Sequence, residues 1–546
     1  MKDTADTVPR RVGSVKPTGA LYCAASALCG AVFAVPLTEP RLWFIAWFSL
    51  APLLYSETRA VRRGTHKYLI AAWLRGMAFF TVYGFMTYSW FWQLYPLDFL
   101  GYGKAQSLAV VLAAFIGLPT VQGAVSAFIF VLSAFFTRHS DKEKHPVAYS
   151  LFVSSLWVCA EWLQSRTWLG VPWGRLAAGQ TYFAPAIQTA SLFGSYFVSF
   201  LIIMSNALIS GALPAKGSAK RAQRVSAVIA ALVLIFNFGF GAVRISKNDL
   251  HGTAVRCAVL QGNILFSEKW SQTTQSVRVY TSLASQAAKD GAELIVLPET
   301  ALPCDIAAEP HRKNSLEYIA EKYNADILCG AFRKDGEKLY NSVIMLPGDG
   351  SDTVYDKRHP VPFGEYIPAR RFTENLMPSL VGLTKDTEIT GGCETAVFDT
   401  AAGKAGSLIC FDSVYESLCL ESVRDGAEII CISTNDSWFD GSAAKEQHNS
   451  HAILRAVENG RYVLRSANTG ISSIISPYAK TVAKTESGER CYAAADAEYI
   501  EARTLYGTVG NIAVPLCALY AMSTSLVLIL SDLKRRKSDK GDPHDN

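Results

Sequence analysis

The chain has 546 residues, a formal net charge of +5, and a composition that is 50% hydrophobic and only 18% charged. Soluble globular proteins usually have about 25% charged residues, so this chain lacks the polar surface that a protein of its length needs in water. The shortage is concentrated in the first 250 residues, whereas 251–503 has the composition of an ordinary globular domain. These proportions exclude a wholly soluble enzyme and indicate a membrane part joined to a water-exposed domain.

Long runs without a charged residue predict the membrane segments, because a helix needs about 20 apolar residues to cross the bilayer core. Six runs are long enough alone, and two shorter ones reach that length if one charge near an end is tolerated. The sequence therefore predicts eight spans, the first of them an anchor rather than a cleaved leader. The runs are 17–38, 42–56, 76–97, 105–137, 146–160, 176–215, 225–243 and 504–531.

Lysine and arginine residues in the connecting segments predict how the spans are oriented. The two ends of the chain and the alternate loops carry 20 basic residues, against 4 in the short loops on the other side. Because basic loops stay in the cytoplasm, both termini are expected there. The domain after the seventh span is then expected outside the cytoplasmic membrane. The positive charge is interpreted as a topology signal, so nucleic acid is not an expected partner.

The water-exposed domain alternates short β-rich runs with amphipathic segments, which indicates a layered α/β architecture. The expected strands are 254–260, 293–297, 326–329, 342–345, 406–409 and 428–432, and the expected helices are 271–289, 314–323, 414–424 and 443–459. The predicted organisation is a cytoplasmic segment 1–17, a membrane domain 18–243 with seven spans, the α/β domain 244–503, an eighth span 504–531 and a charged cytoplasmic tail 532–546.

Three polar residues stand where buried strands are expected to end, which is where α/β proteins gather their active sites. Glu299 and Lys357 each follow an apolar strand-like run, and Cys410 follows 406–409 and precedes a helical segment. Each alone has a plainer interpretation, such as a helix cap for Glu299 or a solvated edge lysine for Lys357. Together they form a set for acyl transfer, with Cys410 as nucleophile, Glu299 as base and Lys357 as the cation that stabilises negative charge.

A second carboxylate, Glu365, follows Lys357 in the chain and is expected to orient Lys357 and the base, or else to form a salt bridge within its loop. The sequence has no Cys-x-x-Cys pair and no cluster of histidine and cysteine. Neither a metal nor a redox cofactor is therefore expected. Most other cysteines are interpreted as small buried apolar side chains.

These residues resemble a known family. Three stretches are similar to the Glu-Lys-Cys triad of the nitrilase, or carbon–nitrogen hydrolase, superfamily: Leu297-Pro298-Glu299, Tyr355-Asp356-Lys357 with Pro362-Phe363-Gly364-Glu365 downstream, and Cys410 after a buried strand. With the predicted spans, the chain resembles the bacterial apolipoprotein N-acyltransferases over about 18–531. Further matching motifs are Gln261-Gly262-Asn263, Lys269-Trp270, Tyr340-Asn341-Ser342, Asn435-Asp436-Ser437-Trp438-Phe439, Gln447-His448, Arg455 to Arg461, Asn468-Thr469-Gly470, Glu161-Trp162 and Pro172-Trp173.

Two positions depart from the family pattern. Phe411-Asp412 follow the cysteine where an aromatic residue and Glu are usual, so the supporting carboxylate is one methylene shorter. Asp440 stands after Trp438-Phe439, where the family often has Gly. Both departures concern the loops around the substrate rather than the three central residues.

The resemblance implies a multi-pass α-helical membrane domain of eight spans that carries an extracytoplasmic α-β-β-α sandwich. It implies that a phospholipid gives an acyl chain to Cys410 as a thioester. The amino group of the S-diacylglyceryl cysteine of an apolipoprotein then takes that chain as an amide. It further implies a monomer in the bacterial inner membrane, with supporting roles for Phe411, Asp412 and Trp438. Trp438, Phe439 and the loop Phe363–Ile367 are expected to meet lipid in a lid, unless they are ordinary core residues.

Two other classes of protein remain as alternatives. A membrane-tethered amidase or hydrolase of the nitrilase type passes the acyl group to water, but such an enzyme does not require eight spans. A transporter with an external binding domain is the second alternative. Arg75 and Glu161 argue against it because both lie near the ends of predicted spans, whereas ion-coupled transport usually uses ionisable groups deep in the membrane.

Overall fold

A computed structural model describes residues 19–63, 67–97, 102–140, 144–166, 170–214, 220–265, 273–346, 353–376, 388–439 and 441–540. The predicted N-terminal segment 1–17, the motif Lys269-Trp270 and Asp440 lie outside these ranges.

The first part of the chain is a bundle of apolar helices. Their bounds are α1 Gly19–Thr38, α2 Ala51–Arg63, α3 Tyr68–Thr87, α4 Lys104–Ser126, α5 Phe128–His139, α6 Pro146–Leu163, α7 Ala190–Phe193, α8 Ser195–Ala212 and α9 Lys220–Lys247. Within the described residues, seven helices are long and apolar enough to cross a membrane. Six of them lie in this part of the chain, where α4 and α5 count as one continuous helix, and the seventh lies near the C-terminus. The expected multi-pass α-helical architecture is confirmed.

The second predicted span explains why seven such helices are found where eight were expected. Residues 42–56 are divided between a 3₁₀ helix, Pro40–Trp47, and the 13-residue helix α2. Asn206 of α8 stabilises this break, because its side-chain oxygen accepts hydrogen bonds from the backbone N–H groups of Leu50 and Ala51 at 2.8 and 3.1 Å. These N–H groups lie at the start of α2 and have no partner within the helix. The apolar run is therefore bent rather than continuous.

The second part of the chain is built from two β-sheets. The strands are β1 Thr253–Gln261, β2 Leu294–Val296, β3 Leu302–Asp305, β4 Asp326–Asp335, β5 Lys338–Leu346, β6 Val354–Asp356, β7 Val397–Thr400, β8 Gly403–Ile409, β9 Ile429–Thr434, β10 Tyr462–Ala467, β11 Ser473–Ile475, β12 Thr481–Lys484 and β13 Cys491–Tyr499. In the described residues, one sheet has the order β13-β1-β2-β4-β5-β6 with β3 beside β4, and the other has the order β12-β11-β10-β9-β8-β7. The central strands of each sheet are parallel, and the outer pairs are antiparallel.

Further helices lie between and after the strands, and those at 273–289, 314–323, 416–424 and 444–459 cover the outer faces of the sheets. Their bounds are α10 Thr273–Lys289, α11 Asn314–Tyr323, α12 Arg370–Leu376, α13 Glu416–Arg424, α14 Ala444–Asn459, α15 Leu505–Val509 and α16 Ala513–Lys540. Strand β1 shows the layering, because side chains alternate between the faces of a strand. Cys257 and Val259 belong to the core between the sheets, whereas Ala258 and Leu260 pack with the residues of α10. The α-β-β-α sandwich is thereby confirmed, and α16 leads back into the helical bundle.

The helical bundle and the sandwich are joined by direct polar contacts. The loop between α6 and α7 supplies several of them: Gly170 O accepts a hydrogen bond from Tyr415 at 3.0 Å, and Arg175 Nη2 donates to Glu416 Oε2 at 2.8 Å. Arg175 and Glu416 are both buried. Tyr415 and Glu416 follow Cys410 closely in the chain, so this loop of the bundle contacts the segment that follows the candidate nucleophile.

Candidate active site

The three residues expected at strand ends come from both sheets and meet between them. Glu299 follows β2 and Lys357 follows β6 in one sheet, and Cys410 follows β8 in the other. Lys357 and Glu299 are in direct contact, and the charges of both act on the Cys410 thiol. All three side chains are buried.

Lys357 holds the centre of this group. Its Nζ donates to Glu299 Oε1 at 2.9 Å and lies 2.9 and 2.8 Å from the two carboxylate oxygens of Glu365. The side-chain amide of Asn341 donates to the same two carboxylates, at 2.7 Å to Glu299 and 3.2 Å to Glu365. Val361 N also donates to Glu365 Oε2 at 2.7 Å. One ammonium and one amide thus orient two carboxylates.

Charge and burial together set the protonation of this group. Burial alone lowers the pKa of Lys357, but attraction by Glu299 and Glu365 outweighs it and holds that pKa well above its usual value. Burial raises the pKa of Glu365, and the negative charge of Glu299 adds to the increase, while the positive charge of Lys357 opposes it. Lys357 therefore stays charged at neutral pH, which suits a group that stabilises an oxyanion.

Cys410 occupies the strand-to-helix turn that the sequence predicts. It follows Ile409 at the end of β8 and begins a 3₁₀ helix, Cys410–Val414, with a positive φ of 49°. This left-handed conformation is strained for a residue with a Cβ. Hydrogen bonds hold it, because the Cys410 carbonyl accepts from Ser413 Oγ at 2.7 Å and lies 3.1 Å from His448 Nε2.

The Cys410 thiol is protonated in the resting site. Burial raises its pKa above the ordinary value, the charge of Glu299 raises it further, and the charge of Lys357 lowers it. The thiolate is the reactive form of a cysteine. A nucleophile in this setting needs a neighbouring base to take its proton.

Asp412 joins the turn at Cys410 to the segment that carries Lys357. It is fully buried, and Oδ2 accepts from the Tyr355 hydroxyl at 2.8 Å while Oδ1 accepts from His359 N at 2.8 Å. Two weaker contacts at 3.3 Å come from Arg358 N and Ile409 N. A carboxylate that accepts bonds from both segments fixes their separation.

Aromatic side chains line the region behind Cys410. The Phe411 ring stacks near Trp173, with centroids 6.5 Å apart, and meets Tyr415 edge-on at 5.4 Å. Phe439, one of the residues expected in the lid, is instead buried in the core, with its ring 4.9 Å from that of Trp90 and 5.4 Å from that of Trp173. Trp90 and Trp173 belong to the helical bundle, so the wall of the site is made by both parts of the chain.

Trp438 lies beside the loop that carries Glu365. The indole is half-buried, and a Cβ placed on Gly364 would lie 3.7 Å from its Cη2 atom. In the same loop Phe363 is 38% exposed and has a positive φ of 62°. The loop is anchored at Ile367, which packs against Leu97, Tyr102 and Val111 of the helical bundle.

Several polar residues of the site received no role from the sequence. Asn341 and His448 stand in motifs that match the family, but a motif alone does not say which atoms its side chains contact. Tyr355 likewise stands in the motif that ends at Lys357, and Ser413 gave no separate signal. All twelve cysteines lie in the described residues and are free thiols. Within the ranges that the structure describes, no group of three or more His, Cys, Asp and Glu side chains is arranged to hold a metal ion.

The family relationships agree with this architecture. Residues 256–504 match the carbon–nitrogen hydrolase family, and residues 29–208 match the apolipoprotein N-acyltransferase N-terminal domain. The two matches and the spanning helices define a membrane-embedded protein with a carbon–nitrogen hydrolase domain.

Relatives that share most of the chain narrow the class to one family. The apolipoprotein N-acyltransferase of Geobacter metallireducens is 30% identical over 465 residues, which cover 82% of this chain and 84% of the relative. That of Gloeobacter violaceus is 30% identical over 492 residues, or 88% and 89% of the two chains. The chain belongs to the apolipoprotein N-acyltransferase family. Among solved structures, a carbon–nitrogen hydrolase of Helicobacter pylori aligns at 19% identity with a TM-score of 0.36, covering 46% of this chain and 90% of that one.

Proposed function

We propose that this protein N-acylates the lipid-modified N-terminal cysteine of apolipoproteins, with a phospholipid as acyl donor and Cys410 as the acyl carrier. The observation that carries the proposal is the setting of Cys410. It is a buried thiol on a strained turn, acted on by the charges of Glu299 and Lys357, with walls made jointly by the sandwich and the membrane bundle. A thiol, a carboxylate and a fixed cation are the groups that acyl transfer through a covalent intermediate requires.

In the first half-reaction, Glu299 accepts the proton of the Cys410 thiol as the sulfur attacks the ester carbonyl carbon of a phospholipid acyl chain. The carbonyl oxygen becomes an oxyanion, which the ammonium of Lys357 stabilises. Collapse of this intermediate breaks the ester C–O bond, and the departing alkoxide of the lysophospholipid takes the proton from Glu299. The acyl chain is then held as a thioester on Cys410.

In the second half-reaction, the neutral amino group of the acceptor cysteine attacks the thioester carbonyl, and Glu299 accepts a proton from the nitrogen. Collapse breaks the C–S bond, and the sulfur of Cys410 takes that proton from Glu299. The products are the amide and the restored thiol. Glu365 holds Lys357 in place through both steps, supported by the contact of its Oε1 with Lys357 Nζ at 2.9 Å.

Transfer to an amine is favoured over hydrolysis by the surroundings of the thiol. Phe411, Trp173 and Phe439 form an apolar wall that disfavours water. The donor and the acceptor both carry acyl chains that are costly to expose to water, so a site joined to membrane helices receives both from the bilayer. Trp438 and the loop with Phe363 contribute to the lid that covers the lipid.

The proposed location is the bacterial inner membrane, with both termini in the cytoplasm and the sandwich on the periplasmic side. It is supported by the 20 basic residues on one side against 4 on the other. The proposed organisation has a membrane domain 18–243, a catalytic domain 244–503, a last span 504–531 and a cytoplasmic tail 532–546, in a protein that acts as a monomer.

An acyl-transfer assay tests the function. Purified protein in phospholipid vesicles is mixed with an S-diacylglyceryl peptide, and the products are measured by mass spectrometry. We expect the peptide to gain one acyl chain at its N-terminus, and a Cys410→Ala variant to yield none. Release of free fatty acid with no acylated peptide would instead support the membrane-tethered hydrolase.

A further inference from the structure

Two adjacent side chains of α14 contact different parts of the molecule. Gln447 reaches into the helical bundle: its Oε1 accepts from Trp173 Nε1 at 2.6 Å, and its Nε2 donates to Leu37 O at 3.0 Å and Thr87 O at 3.3 Å. Leu37 lies in the last turn of α1, and Thr87 is the last residue of α3. Carbonyls at helix C-termini have no partner within the helix. One buried amide thus binds the ends of two membrane helices.

His448, the next residue, reaches the turn at Cys410. Its Nε2 lies 3.1 Å from the Cys410 carbonyl oxygen and 3.2 Å from Ser413 Oγ. A proton on Nε2 allows it to donate to that carbonyl, which Ser413 Oγ also approaches. Cys410 has a positive φ, which is strained for a residue with a Cβ, and the contacts to its carbonyl oxygen help to hold that conformation.

A buried ion pair holds the other side of the His448 ring. Nδ1 lies 2.9 Å from Asp436 Oδ1, and Arg465 Nη2 binds both oxygens of Asp436, at 3.0 and 2.8 Å. Trp173 lies against the ring, with centroids 5.4 Å apart. The imidazole is therefore held at Nδ1, at Nε2 and on the ring face that Trp173 contacts. Because His448 belongs to α14, a movement of this helix would also move the contact to the Cys410 carbonyl.

We propose that Gln447 and His448 are positioning residues, which set the location of the Cys410 backbone relative to the C-terminal ends of α1 and α3. The inference rests on the proposed role of Cys410 as nucleophile. On this proposal the membrane bundle helps to place the nucleophile. Leu37 and Thr87 of the bundle bind Gln447, and the next residue, His448, contacts the Cys410 carbonyl. A displacement of about 1 Å in a reacting group costs on the order of 100-fold in rate.

A matched pair of glutamine variants tests the bundle side of this link. Gln447→Met removes the amide and keeps the length of the side chain. Gln188→Met is the control, because Gln188 is also buried and donates across the same junction, to Tyr478 O at 3.2 Å, but outside the site. The rate of thioester formation on Cys410 is measured against phospholipid concentration. Gln447→Met is expected to lower the maximal rate of thioester formation by about 10-fold to 100-fold, with the half-saturating phospholipid concentration unchanged. For Gln188→Met, the maximal rate is expected to stay within about twofold of wild type.

A second pair of variants tests the Cys410 side. His448→Leu removes the donor to the Cys410 carbonyl, whereas His448→Gln keeps an N–H group. His448→Gln is expected to form thioester at least about 10-fold faster than His448→Leu. Alkylation of Cys410 by iodoacetamide, followed by peptide mass, should fall in His448→Leu as well, because it needs no lipid and reports the placement of the thiol.

The outcomes separate the inference from the proposed function. Full acyl transfer by Cys410→Ala would contradict the proposed role of Cys410, and the inference that rests on it would then be wrong as well. If Cys410→Ala is inactive while Gln447→Met matches Gln188→Met, the inference alone is wrong. Equal rates for His448→Leu and His448→Gln would also overturn it, and this comparison decides the matter if Gln447→Met fails to fold.

Discussion

The carboxylate of Asp412 accepts a hydrogen bond from the hydroxyl of Tyr355 at 2.8 Å, in a fully buried space between β6 and the turn at Cys410. Tyr355 precedes Lys357 by two residues, and Asp412 follows Cys410 by two. This one contact therefore links the strand of the proposed cation to the turn of the proposed nucleophile, although the two strands belong to different sheets.

Removal of that contact should loosen the site without removing any reacting group. Tyr355→Phe keeps the ring but leaves a buried carboxylate with one partner fewer, which costs about 1–3 kcal/mol of stability. Thioester formation on Cys410 should slow yet persist. Tyr462→Phe, at a half-buried tyrosine of β10 outside the site, should change neither the unfolding temperature nor the rate. Equal effects of the two variants would show that the Asp412 contact has no special role.

The charged residues should separate chemistry from folding. Glu299→Gln removes the proposed base and Lys357→Met removes the proposed oxyanion cation, and loss of one oxyanion donor costs roughly 10²–10³-fold. Both variants should remain folded by circular dichroism in detergent and give no detectable thioester. Glu365→Ala should be severely impaired because Lys357 loses one of its two carboxylate partners. Wild-type acylation by Glu299→Gln would mean that another group takes the thiol proton.

The pH dependence of Cys410 alkylation follows from its raised pKa. Burial and the charge of Glu299 keep the thiol protonated above its ordinary pKa, and only the thiolate reacts with iodoacetamide. Below the pKa the thiolate fraction rises about tenfold per pH unit. The alkylation rate should therefore climb from about pH 7 to pH 9 without a plateau, whereas an unstructured cysteine peptide, with a pKa of about 8.5, begins to level off. A plateau for Cys410 near neutral pH would show that the thiolate is already formed.

The sequence predicts those features of the site that depend on neighbouring residues, and not those that depend on contacts between distant segments. A polar residue that follows an apolar run is a local pattern, which a few neighbouring residues define. This pattern predicts Glu299, Lys357 and Cys410 at strand ends, and the structure places them after β2, β6 and β8. The six expected strands and four expected helices are present for the same reason, with β4 and β5 longer than expected.

Contacts between distant segments could not be predicted in this way. Tyr355 and Asp412 are 57 positions apart, and Gln447 lies 410 positions from Leu37. Their pairing depends on how the sheets and the bundle dock, which no local pattern encodes. The division of the second apolar run has a similar cause, because Asn206 of α8 binds the start of α2 from a distant part of the chain.

Labelling of cysteines in intact spheroplasts tests the proposed orientation. Cys393 is exposed in the sandwich, so a membrane-impermeant maleimide should label it in spheroplasts. In a Cys393→Ser background, Glu337→Cys, at an exposed turn between β4 and β5, should be labelled equally well. Lys144→Cys, exposed between α5 and α6, should react only after permeabilisation. The opposite pattern would overturn the orientation inferred from the basic residues.

The covalent intermediate is the central claim, and intact-mass analysis tests it most directly. The purified protein is mixed with phospholipid and no acceptor, then measured by mass spectrometry with peptide mapping. The proposed mechanism predicts a gain of one acyl chain on Cys410, absent from Cys410→Ala and Cys410→Ser, and retained when Cys329, Cys419 or Cys431 is replaced by Ala. An unmodified wild-type protein under conditions that support acyl transfer, or an acyl chain on a different residue, would contradict it.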